Sequence, residues 1–514
     1  MKRIGVVGAG AMGAGIAQVA ALAGLEVLLY DVGAAPLETG LSRIQAGVER
    51  LMQRGRLSAE AGAAALERAR GTTALAEFAA VDFAVEAAPE SLDLKRQLFG
   101  QLDRICRPGV ILATNTSSLA VTEIAAATGR PDLVVGMHFF NPVPLMKLVE
   151  VIRGARTSAE AAQATTELAV RLGKTPVQAK DTPGFIVNRI ARPFPGEALR
   201  LVGENVAGVL QVDRVARLAA GFRMGPFELM DLVGMDVNFA VNRSVYEQFF
   251  QEPRFRPHPL QAQMVKANLL GRKTGAGWYR YEGDQIVGGP AGPTYATAPA
   301  PRLSDTVCVL GDEAAARLVQ STGYSLTTDA ASADVVVVGD PGILAGLSVA
   351  DRALVLVDAS RLTTTEAATR LPHPGRVVGY GGIPSLATRQ LVEIAPGLRT
   401  AGENTQKAAQ FFHSLGRDTE VIHDGPGLIA PRLIACLANE AAFALMEGVA
   451  GAPDIDTAMA LGVNYPRGPL AWANEVGLDR ILAVLEHLQE HTGDDCYRPC
   501  PLLRKAVLAQ RPLT

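Results

Sequence analysis

The sequence predicts an α/β fold in which a doubly wound, mostly parallel sheet is followed by a helical region, and the whole unit occurs twice. Three observations predict it. The chain begins with a β-rich run, a glycine-rich turn and a helix of small residues. Further β-rich runs then alternate with helical stretches, as in a parallel sheet. Finally, landmarks of the first half recur in the second half at one constant distance.

A glycine-rich turn joins the first predicted strand, residues 2–7, to the first predicted helix, residues 14–23. Its G-x-G-x-x-G pattern consists of Gly8, Gly10 and Gly13. These glycines permit a tight turn, a close approach of the backbone to a pyrophosphate, and close helix–strand packing, in that order. The amino terminus of the helix offers free N–H groups to phosphates. The predicted cofactor-binding residues of the turn are Gly8, Gly10, Ala11, Met12 and Gly13.

The carboxylate after the second strand selects the cofactor. Residues 26–30 form that strand, and Asp31 directly follows it. A carboxylate about 20 residues after the first glycine can accept hydrogen bonds from both ribose hydroxyls and would repel a 2′-phosphate. The sequence therefore favours NAD over NADP, with FAD as a minor alternative. The same glycines argue against a signal peptide or membrane span in the apolar run at residues 4–25.

Polar residues follow later strands at their carboxyl ends, where open α/β sheets bind ligands. The predicted strands are residues 83–87, 110–114, 133–137 and 148–152. Asn115 and Ser117 follow the second of these strands. Their turn is also a candidate cap for a helix at residues 121–127, with Ser118 or Thr122 as the capping residue.

His138 and Glu150 are a candidate base and its partner. His138 directly follows the predicted strand at residues 133–137, and Glu150 interrupts an otherwise apolar run. An unpaired carboxylate would be costly there, and a hydrogen bond to an imidazole removes the difficulty. The carboxylate would fix the tautomer of the ring and stabilise its protonated form, as a general base requires. The alternatives are a satisfied core histidine and, for Glu150, either an ion pair with Lys147 or an exposed side chain.

Five motifs in the first half of the chain closely resemble those of the 3-hydroxyacyl-CoA dehydrogenases, in the order of that family. They are GAGAMGAGIA, NTSSL, GMHFFNPVPLMKLVEVI, KDTPGFIVNRI and GPFELMDLVGMDV. The resemblance implies an NAD-binding Rossmann domain followed by the all-α C-terminal domain of the family. It also implies reversible oxidation of a (3S)-hydroxyacyl-CoA to the 3-ketoacyl-CoA, in fatty-acid or aromatic-acid catabolism, with an acyl-CoA thioester as the substrate.

The resemblance also implies roles for single residues. His138 corresponds to the catalytic base and Glu150 to its partner, while Ser117 and Asn188 correspond to residues that contact the substrate. Further cofactor-binding residues are expected at Glu90, Lys95 and Asn115. Pro195 stands where many relatives have an aromatic residue, a difference that concerns the acyl pocket rather than the chemistry.

The acyl chain of the substrate is less well defined than the reaction. The duplicated long form is similar to enzymes of the phenylacetate route, which implies 3-hydroxyadipyl-CoA. A terminal carboxylate would need a cation, for which the candidates are Arg189, Arg192 and Arg223. Arg54, with its neighbours Arg50 and Arg56, could meet the phosphates of CoA or simply belong to a solvated helix face. The alternative functions are an NAD-dependent dehydrogenase of a CoA-free hydroxy or sugar acid, and a catalytically idle NAD-binding protein.

The second half repeats the first at a constant offset in the numbering, 379 − 136 = 243, which we call the repeat offset. The paired landmarks are Gly136 and Gly379, Glu150 and Glu393, Asp181 and Asp424, and Gly225 and Gly468. At the same offset Gly381 replaces His138 and Pro431 replaces Asn188, although Ser360 still matches Ser117. The second glycine turn keeps only Gly311. We therefore predict one active site per chain, in the first copy, and a degenerate second copy kept for its structure.

The predicted organisation has five segments. They are an NAD-binding Rossmann domain (1–180), a helical substrate or dimerisation domain (181–287), a linker (288–302), a degenerate Rossmann-like domain (303–420) and a second helical domain (421–514). In short relatives, as the resemblance implies, helical domains pair between two subunits. A tandem copy could supply that partner, so we expect a homodimer or an intrachain pseudo-dimer.

Composition and charge narrow the partners. The chain has 514 residues, of which 48% are hydrophobic and 20% charged, as in ordinary globular proteins. A net charge of −3 provides no basic field, so neither nucleic acid nor a membrane is expected as a partner. The spacing of Cys106, Cys308, Cys436, Cys496 and Cys500 fits neither a disulfide framework nor a paired zinc motif. We therefore predict a reducing, cytoplasmic setting and no metal site.

Overall fold

A computed structural model describes residues 1–289, 302–303 and 306–514. The chain forms two compact units, one of Met1–Arg189 with Ala444–Asn464 and one of Ile190–Phe443 with Tyr465–Thr514. Most of the predicted linker at residues 288–302 lies outside the described residues.

The first unit is built on an eight-stranded sheet. Its strands are β1 (Arg3–Val7), β2 (Glu26–Tyr30), β3 (Ala69–Thr72), β4 (Phe83–Glu86), β5 (Ile111–Thr114), β6 (Val134–Phe139), β7 (Leu148–Arg153) and β8 (Thr175–Lys180). Across the sheet they follow the order β3-β2-β1-β4-β5-β6-β7-β8. All neighbouring strands are parallel except β6 and β7. The strand order changes direction between β1 and β4, which is where such folds bind nucleotides.

Helices flank this sheet, and they follow the predicted alternation. They are Ala11–Leu22, Ala34–Gln53, Ala59–Arg68, Leu92–Ile105, Val121–Ala125, Ala159–Arg171, Val187–Ile190 and Ala452–Gly462, with short 3₁₀ turns at Leu75–Ala80 and Pro131–Leu133. The apolar run at residues 4–25 is therefore strand, turn and helix. Within the part of the chain that the structure describes, no helix is both long and apolar enough to cross a membrane.

Two local predictions for this unit were wrong. β6 extends to Phe139, so His138 lies within the strand rather than after it. Neither Ser118 nor Thr122 caps the helix Val121–Ala125, whose amino terminus has no side-chain cap of its own. Instead the Asp181 carboxylate accepts hydrogen bonds from the N–H groups of Val121 (3.0 Å) and Thr122 (2.7 Å).

The second unit contains a seven-stranded sheet and a small hairpin. The hairpin strands are β9 (Arg280–Glu282) and β10 (Gln285–Gly288), and the sheet strands are β11 (Thr306–Leu310), β12 (Ser325–Thr327), β13 (Val335–Val338), β14 (Leu354–Asp358), β15 (Val377–Tyr380), β16 (Leu391–Pro396) and β17 (Asp418–Val421). The sheet order is β12-β11-β13-β14-β15-β16-β17, with β15 and β16 antiparallel. Among the described residues, this order repeats that of the first sheet without a counterpart of β3.

Most helices of the chain belong to the second unit. Its helices are Pro193–Gly203, Val209–Leu218, Pro226–Val233, Met235–Gln248, Pro259–Lys266, Glu313–Ser321, Thr364–Thr369, Gly402–Ser414, Ala430–Met446 (in part), Pro469–Val476, Leu478–Thr492 and Pro501–Ala509, with 3₁₀ turns at Pro253–Phe255, Arg272–Thr274, Pro341–Leu344, Pro374–Arg376 and Asp495–Tyr497. All five cysteines of the chain are buried and free.

Equivalent hydrogen bonds confirm the predicted duplication. Asp424 accepts from the N–H groups of Thr364 and Thr365 at 2.8 Å each, as Asp181 does from the equivalent residues of the first copy. Left-handed backbone also recurs at the repeat offset, with φ of 49° at Phe185 and 50° at Leu428. Both copies therefore keep the same local geometry where strand gives way to helix.

Each unit combines the sheet of one copy with helical residues of the other. In the first unit, helix Ala452–Gly462 packs against β7 and β8, and the Lys180 N–H donates to the Val449 carbonyl (2.8 Å). In the second unit, helix Val209–Leu218 packs against β16, and the His423 N–H donates to the Val206 carbonyl (2.9 Å). Because the repeat offset relates the two sets of residues, the exchange is reciprocal.

Candidate active site

A cavity of about 700 Å³ opens at the carboxyl ends of β1 and β2. Its lining contains Gly8, Gly10, Ala11, Met12 and Asp31, five of the predicted cofactor-binding residues. Sequence reasoning missed other lining residues, among them Thr39 and Arg43 on helix Ala34–Gln53. No local motif marks them, because the fold alone brings that helix to the cavity.

The three glycines of the turn fit a bound pyrophosphate. Gly8 has φ +99°, and a Cβ there would lie 2.6 Å from the Ala87 carbonyl oxygen. A Cβ on Gly13 would lie 1.7 Å from the Gly8 carbonyl oxygen, so helix and strand could not pack. A Cβ on Gly10 would meet nothing within 4 Å, because that position faces open space. The space in front of Gly10 is therefore what a pyrophosphate would fill.

Asp31 is held in place by the turn itself. Its Oδ2 accepts a hydrogen bond from the Ala9 N–H at 2.8 Å. The carboxylate is half-buried in the cavity lining, as contact with ribose hydroxyls requires. These residues therefore suit an adenine dinucleotide.

A buried ion pair lies next to the cavity, at the end of β4. Glu86 and Lys95 are almost fully buried, and their Oε1 and Nζ atoms are 2.7 Å apart. Glu86 Oε2 also accepts a hydrogen bond from the Thr114 hydroxyl (2.7 Å). The Lys95 ammonium lies 3.4 Å from Glu90 Oε2 as well. Lys95 thus contacts two carboxylates. Glu90 was predicted from the sequence, whereas Glu86 was not.

Glu90 organises the turn after β5. One of its oxygens, Oε1, accepts hydrogen bonds from the Thr116 hydroxyl (2.6 Å) and from the N–H groups of Ser117 (2.9 Å) and Ser118 (3.0 Å). Burial opposes ionisation of this group, but the Lys95 charge and these hydrogen bonds outweigh it and hold the pKa of Glu90 below its usual value. A negatively charged Glu90 therefore fixes the backbone of Ser117.

Asn115 connects the same turn to the strand that carries the histidine. Its Oδ1 accepts a hydrogen bond from the Phe139 N–H at 2.9 Å. The side chain lies outside the cavity lining, as do Glu90 and Lys95. The contacts of these three residues position the turn and β6, and their predicted contact with the cofactor remains a prediction.

His138 and Glu150 face each other across the antiparallel pair β6–β7. His138 Nδ1 lies 2.7 Å from Glu150 Oε2, and both side chains are buried. Glu150 Oε1 accepts hydrogen bonds from the N–H groups of Ile186 and Val187, each at 3.0 Å. Because a carboxylate only accepts, Nδ1 is the donor of this contact, which in a neutral ring leaves the lone pair on Nε2. Glu150 therefore pairs with His138 and not with Lys147, which is exposed.

The remaining two predicted catalytic residues also meet. Asn188 Nδ2 donates a hydrogen bond to the Ser117 carbonyl oxygen at 3.3 Å. Asn188 follows Val187, whose N–H is bound by Glu150. One framework thus connects His138, Glu150, Asn188 and Ser117.

The four arginines considered as substrate-binding candidates lie in different surroundings. Arg54 is exposed just after helix Ala34–Gln53 and outside the cavity lining. Arg189 lies in the short helix Val187–Ile190, where it is fully buried and paired with Glu447 at 2.7 Å. Arg192 donates to Asn242 Oδ1 (2.6 Å), and burial lowers its pKa to about 10. Arg223 is exposed. Arg189 is therefore committed to a structural ion pair.

The second copy keeps the buried acid without the base. Glu393 accepts hydrogen bonds from the N–H groups of Ile429 (2.7 Å) and Ala430 (3.1 Å), as Glu150 does from the equivalent residues. Gly381 stands in the place of His138. Burial raises the pKa of Glu393 to about 7. The second copy therefore keeps the position and backbone hydrogen bonds of the acid but lacks the imidazole that would act as the base.

A dinucleotide cavity and a histidine–glutamate pair on one sheet are typical of an NAD-dependent dehydrogenase that acts on an alcohol. The chain belongs to the 3-hydroxyacyl-CoA dehydrogenase family. Residues 3–182 match the NAD binding domain of that family, and residues 184–281 and 427–513 match its C-terminal domain. The two C-terminal matches begin at residues 184 and 427, which are equivalent positions of the two copies.

Relatives of two lengths resemble the chain. The 3-hydroxyadipyl-CoA dehydrogenase of Escherichia coli is 40% identical over 512 residues, which are 99% of this chain and 98% of the relative. The probable 3-hydroxybutyryl-CoA dehydrogenase of Deinococcus radiodurans is 46% identical over 279 residues, 54% of this chain and 100% of the relative. The crystal structure of an Escherichia coli 3-hydroxybutyryl-CoA dehydrogenase is 39% identical, with a TM-score of 0.84 and coverage of 99% of this chain and 98% of that one.

Proposed function

We propose that the protein catalyses the NAD-dependent, reversible oxidation of a (3S)-hydroxyacyl-CoA to the 3-ketoacyl-CoA at one site, in its first copy. The observation that carries this proposal is the 2.7 Å contact between His138 Nδ1 and a Glu150 that two backbone N–H groups hold in place. This pair supplies a base of fixed tautomer in the unit that also contains the dinucleotide cavity.

The chemistry follows from the contacts of the pair. His138 Nε2 takes the proton of the substrate hydroxyl, and the Glu150 carboxylate stabilises the resulting imidazolium. NAD, when bound, supplies the acceptor for the hydride that leaves C3. In the reverse direction the imidazolium returns the proton to the ketone oxygen.

Ser117 and Asn188 would orient the reacting oxygen. Glu90 and Asn188 hold the Ser117 backbone from two sides, which keeps its hydroxyl in a defined position. Hydrogen-bond donors fixed before the substrate arrives stabilise charge that develops on an oxygen during reaction. We therefore assign substrate contact to these two residues.

For the substrate we favour a six-carbon dicarboxylyl-CoA. The support is the name of the relative that matches 99% of the chain, 3-hydroxyadipyl-CoA dehydrogenase, although a similar structure is named for 3-hydroxybutyryl-CoA. Comparison of kcat/KM for C4, C8 and C6-dicarboxylyl 3-hydroxyacyl-CoA thioesters tests this choice. We expect the dicarboxylyl thioester to be preferred, and an equal or better C4 value would contradict it.

The test of the reaction is His138→Gln, assayed with acetoacetyl-CoA and NADH. Loss of the base is expected to lower kcat by about 10²- to 10⁴-fold while NADH binding is retained. The control is His373→Gln, which removes an exposed histidine paired with Asp351 (2.9 Å) and should leave kcat unchanged. Normal turnover in the His138 variant would refute the assignment of the base. If the wild-type protein binds NADH but reduces no acyl-CoA, the protein is better explained as a catalytically idle NAD-binding protein. If it is active only with CoA-free hydroxy acids, it is better explained as a dehydrogenase of a CoA-free hydroxy or sugar acid.

For the assembly we propose an intrachain pseudo-dimer. The support is the reciprocal exchange of helices within the two units and two matching ion pairs. Arg189 pairs with Glu447 in the first unit (2.7 Å), and Arg432 pairs with Glu204 in the second (2.7 Å). Because the repeat offset relates these positions, the contacts are those that a symmetric pair of short chains would make twice.

A further inference from the structure

Three side chains that commonly bind metals meet in the second unit, whereas the candidate active site belongs to the first. Glu366 lies on the short helix Thr364–Thr369, and His487 and His491 lie on helix Leu478–Thr492. One ligand atom from each of the three lies within 4.8 Å of the other two. Residues four apart on a helix share one face, so both imidazoles reach the same neighbour.

His487 is the member of the cluster that needs a ligand. Its side chain is 9% exposed, and its Nε2 has no hydrogen-bond partner among the described residues. The nearest acidic atom, Glu366 Oε2, is 3.8 Å away, too far for a hydrogen bond. A buried ring nitrogen without a partner is unfavourable, and a bound cation would satisfy it.

The carboxylate of the cluster is already oriented. Glu366 Oε2 accepts hydrogen bonds from the N–H (2.6 Å) and the hydroxyl (2.8 Å) of Thr363, a capping box at the start of the helix. Partners of this kind fix metal-binding groups before the ion arrives. His491 is exposed and provides access from solvent.

We propose that Glu366, His487 and His491 form a binding site for a divalent transition-metal ion, Zn²⁺ above all, with a remaining position for water. Two imidazoles and one carboxylate suit zinc and its neighbours, whereas Mg²⁺ and Ca²⁺ prefer oxygen ligands alone. Zinc–ligand bonds of about 2.0–2.2 Å place ligand atoms about 3.3 Å apart, so the gap between His487 and Glu366 needs to close only slightly.

The site would belong to the degenerate copy alone. The equivalent positions of the first copy are Glu123, Ser244 and Gln248, which keep the carboxylate and lack both imidazoles. An ion bound in the second copy would join helix Thr364–Thr369 to helix Leu478–Thr492. Because this copy lacks the catalytic base, the ion would have a structural role there. The prediction of no metal site was based on the spacing of the cysteines. It missed the His-x-x-x-His pattern, which places His487 and His491 on one helix face.

Calorimetric titration of the chelator-stripped, full-length protein with Zn²⁺ tests the proposal. We expect one ion per chain at this site and a rise in the melting temperature. His487→Gln and His491→Gln should each weaken binding by about 100-fold or more, since even outer-shell changes cost 10- to 100-fold. His373→Gln, which removes a histidine paired with Asp351 outside the cluster, should bind zinc as the wild type does.

Titration with Co²⁺ adds a spectroscopic arm, because the visible absorption of bound Co²⁺ reports its ligands. His491 is exposed, so His491→Gln serves where the buried His487 variant fails to fold. Undiminished zinc binding by His491→Gln would overturn the proposal, and so would Mg²⁺ binding as tight as that of Zn²⁺. Reduction of acetoacetyl-CoA should not depend on the ion, since the cluster lies outside the proposed catalytic residues.

Discussion

At the scale of single residues, the glycine turn separates a position needed for binding from one needed for folding. We expect Gly10→Ala to fold normally, because its Cβ would meet no atom within 4 Å, and to bind NADH at least about tenfold more weakly because the methyl group occupies pyrophosphate space. Gly13→Ala should instead lower the melting temperature, since its Cβ would lie 1.7 Å from the Gly8 carbonyl oxygen.

Gly196→Ala is the control for both variants. Gly196 lies in helix Pro193–Gly203, and a Cβ there would also meet nothing within 4 Å. This change should stabilise the protein by about 0.5–1 kcal/mol and leave NADH binding unchanged. Fluorescence titration with NADH and thermal melts measure the three variants. Wild-type affinity in Gly10→Ala would show that the cofactor does not approach this backbone.

Residues with a local signature were predictable, whereas those defined by distant contacts were not. His138 and Glu150 stand out because a titratable group in an apolar run is unusual. Glu86 also lies in an apolar run, but its role depends on an ion pair with Lys95, and only the fold brings the helix that carries Lys95 close to it. The carboxylate of Asp181, far along the chain from the helix that it caps, is likewise supplied by the fold.

At the scale of elements, the strand pair β15–β16 contains a buried acid without a histidine across from it. Glu393 is fully buried and its pKa is raised to about 7. The folded protein therefore holds a proton that the unfolded chain releases near pH 4.5, and its stability falls as the pH rises from about 4.5 to 7.

We expect this slope to disappear in Glu393→Gln, which cannot ionise. Relative to that variant, the wild type should lose about 3 kcal/mol of stability between pH 4.5 and 7, the equivalent of the shift in pKa. Urea unfolding of both proteins across this pH range measures the difference, which does not depend on the absolute stability of the variant. A constant difference would mean that Glu393 stays ionised throughout, stabilised by the charge of the buried Arg389, which lowers the pKa of Glu393.

The elements that sequence reasoning found are those buried on both faces. β1, β4, β5 and β6 are mostly apolar and are buried along almost their whole length, as expected for the middle of a parallel sheet. β3, with the sequence ARGT, and β8, with TPVQAK, were missed because both are edge strands with polar residues and little periodic signal. Edge strands are defined by the neighbour that they pair with, which a single segment does not reveal.

At the scale of the whole molecule, the repeat offset predicted more than any local pattern. It indicated a second fold, its missing base and its missing glycines. It did not reveal that Ala452–Gly462 covers β7 and β8 of the first copy, because exchange between copies leaves the sequence pattern unchanged. The family match is equally silent on this exchange, since it follows the order of the chain and not its packing.

A chain shortened to residues 1–288 lacks helix Ala452–Gly462, so β7 and β8 lose the helix that packs against them. It also lacks Glu447, the carboxylate that forms an ion pair with the buried Arg189. Loss of the carboxylate beside a buried charge and exposure of an apolar face are both unfavourable. We therefore expect two short chains to pair, so that helix Val209–Leu218 and Glu204 of each one replace the lost helix and carboxylate in the other.

Sedimentation velocity of the short chain should show a dimer whose acetoacetyl-CoA reduction falls on dilution, while the full-length chain keeps its specific activity at every concentration. Glu204→Gln in the short chain is the matched variant, and it should weaken the dimer because it removes the carboxylate that is expected to replace Glu447 beside Arg189. A short chain that stays monomeric, soluble and fully active would show that the second copy is not the missing partner. The degenerate half would then need another reason for its place in the chain, and the intrachain pseudo-dimer would have to be abandoned.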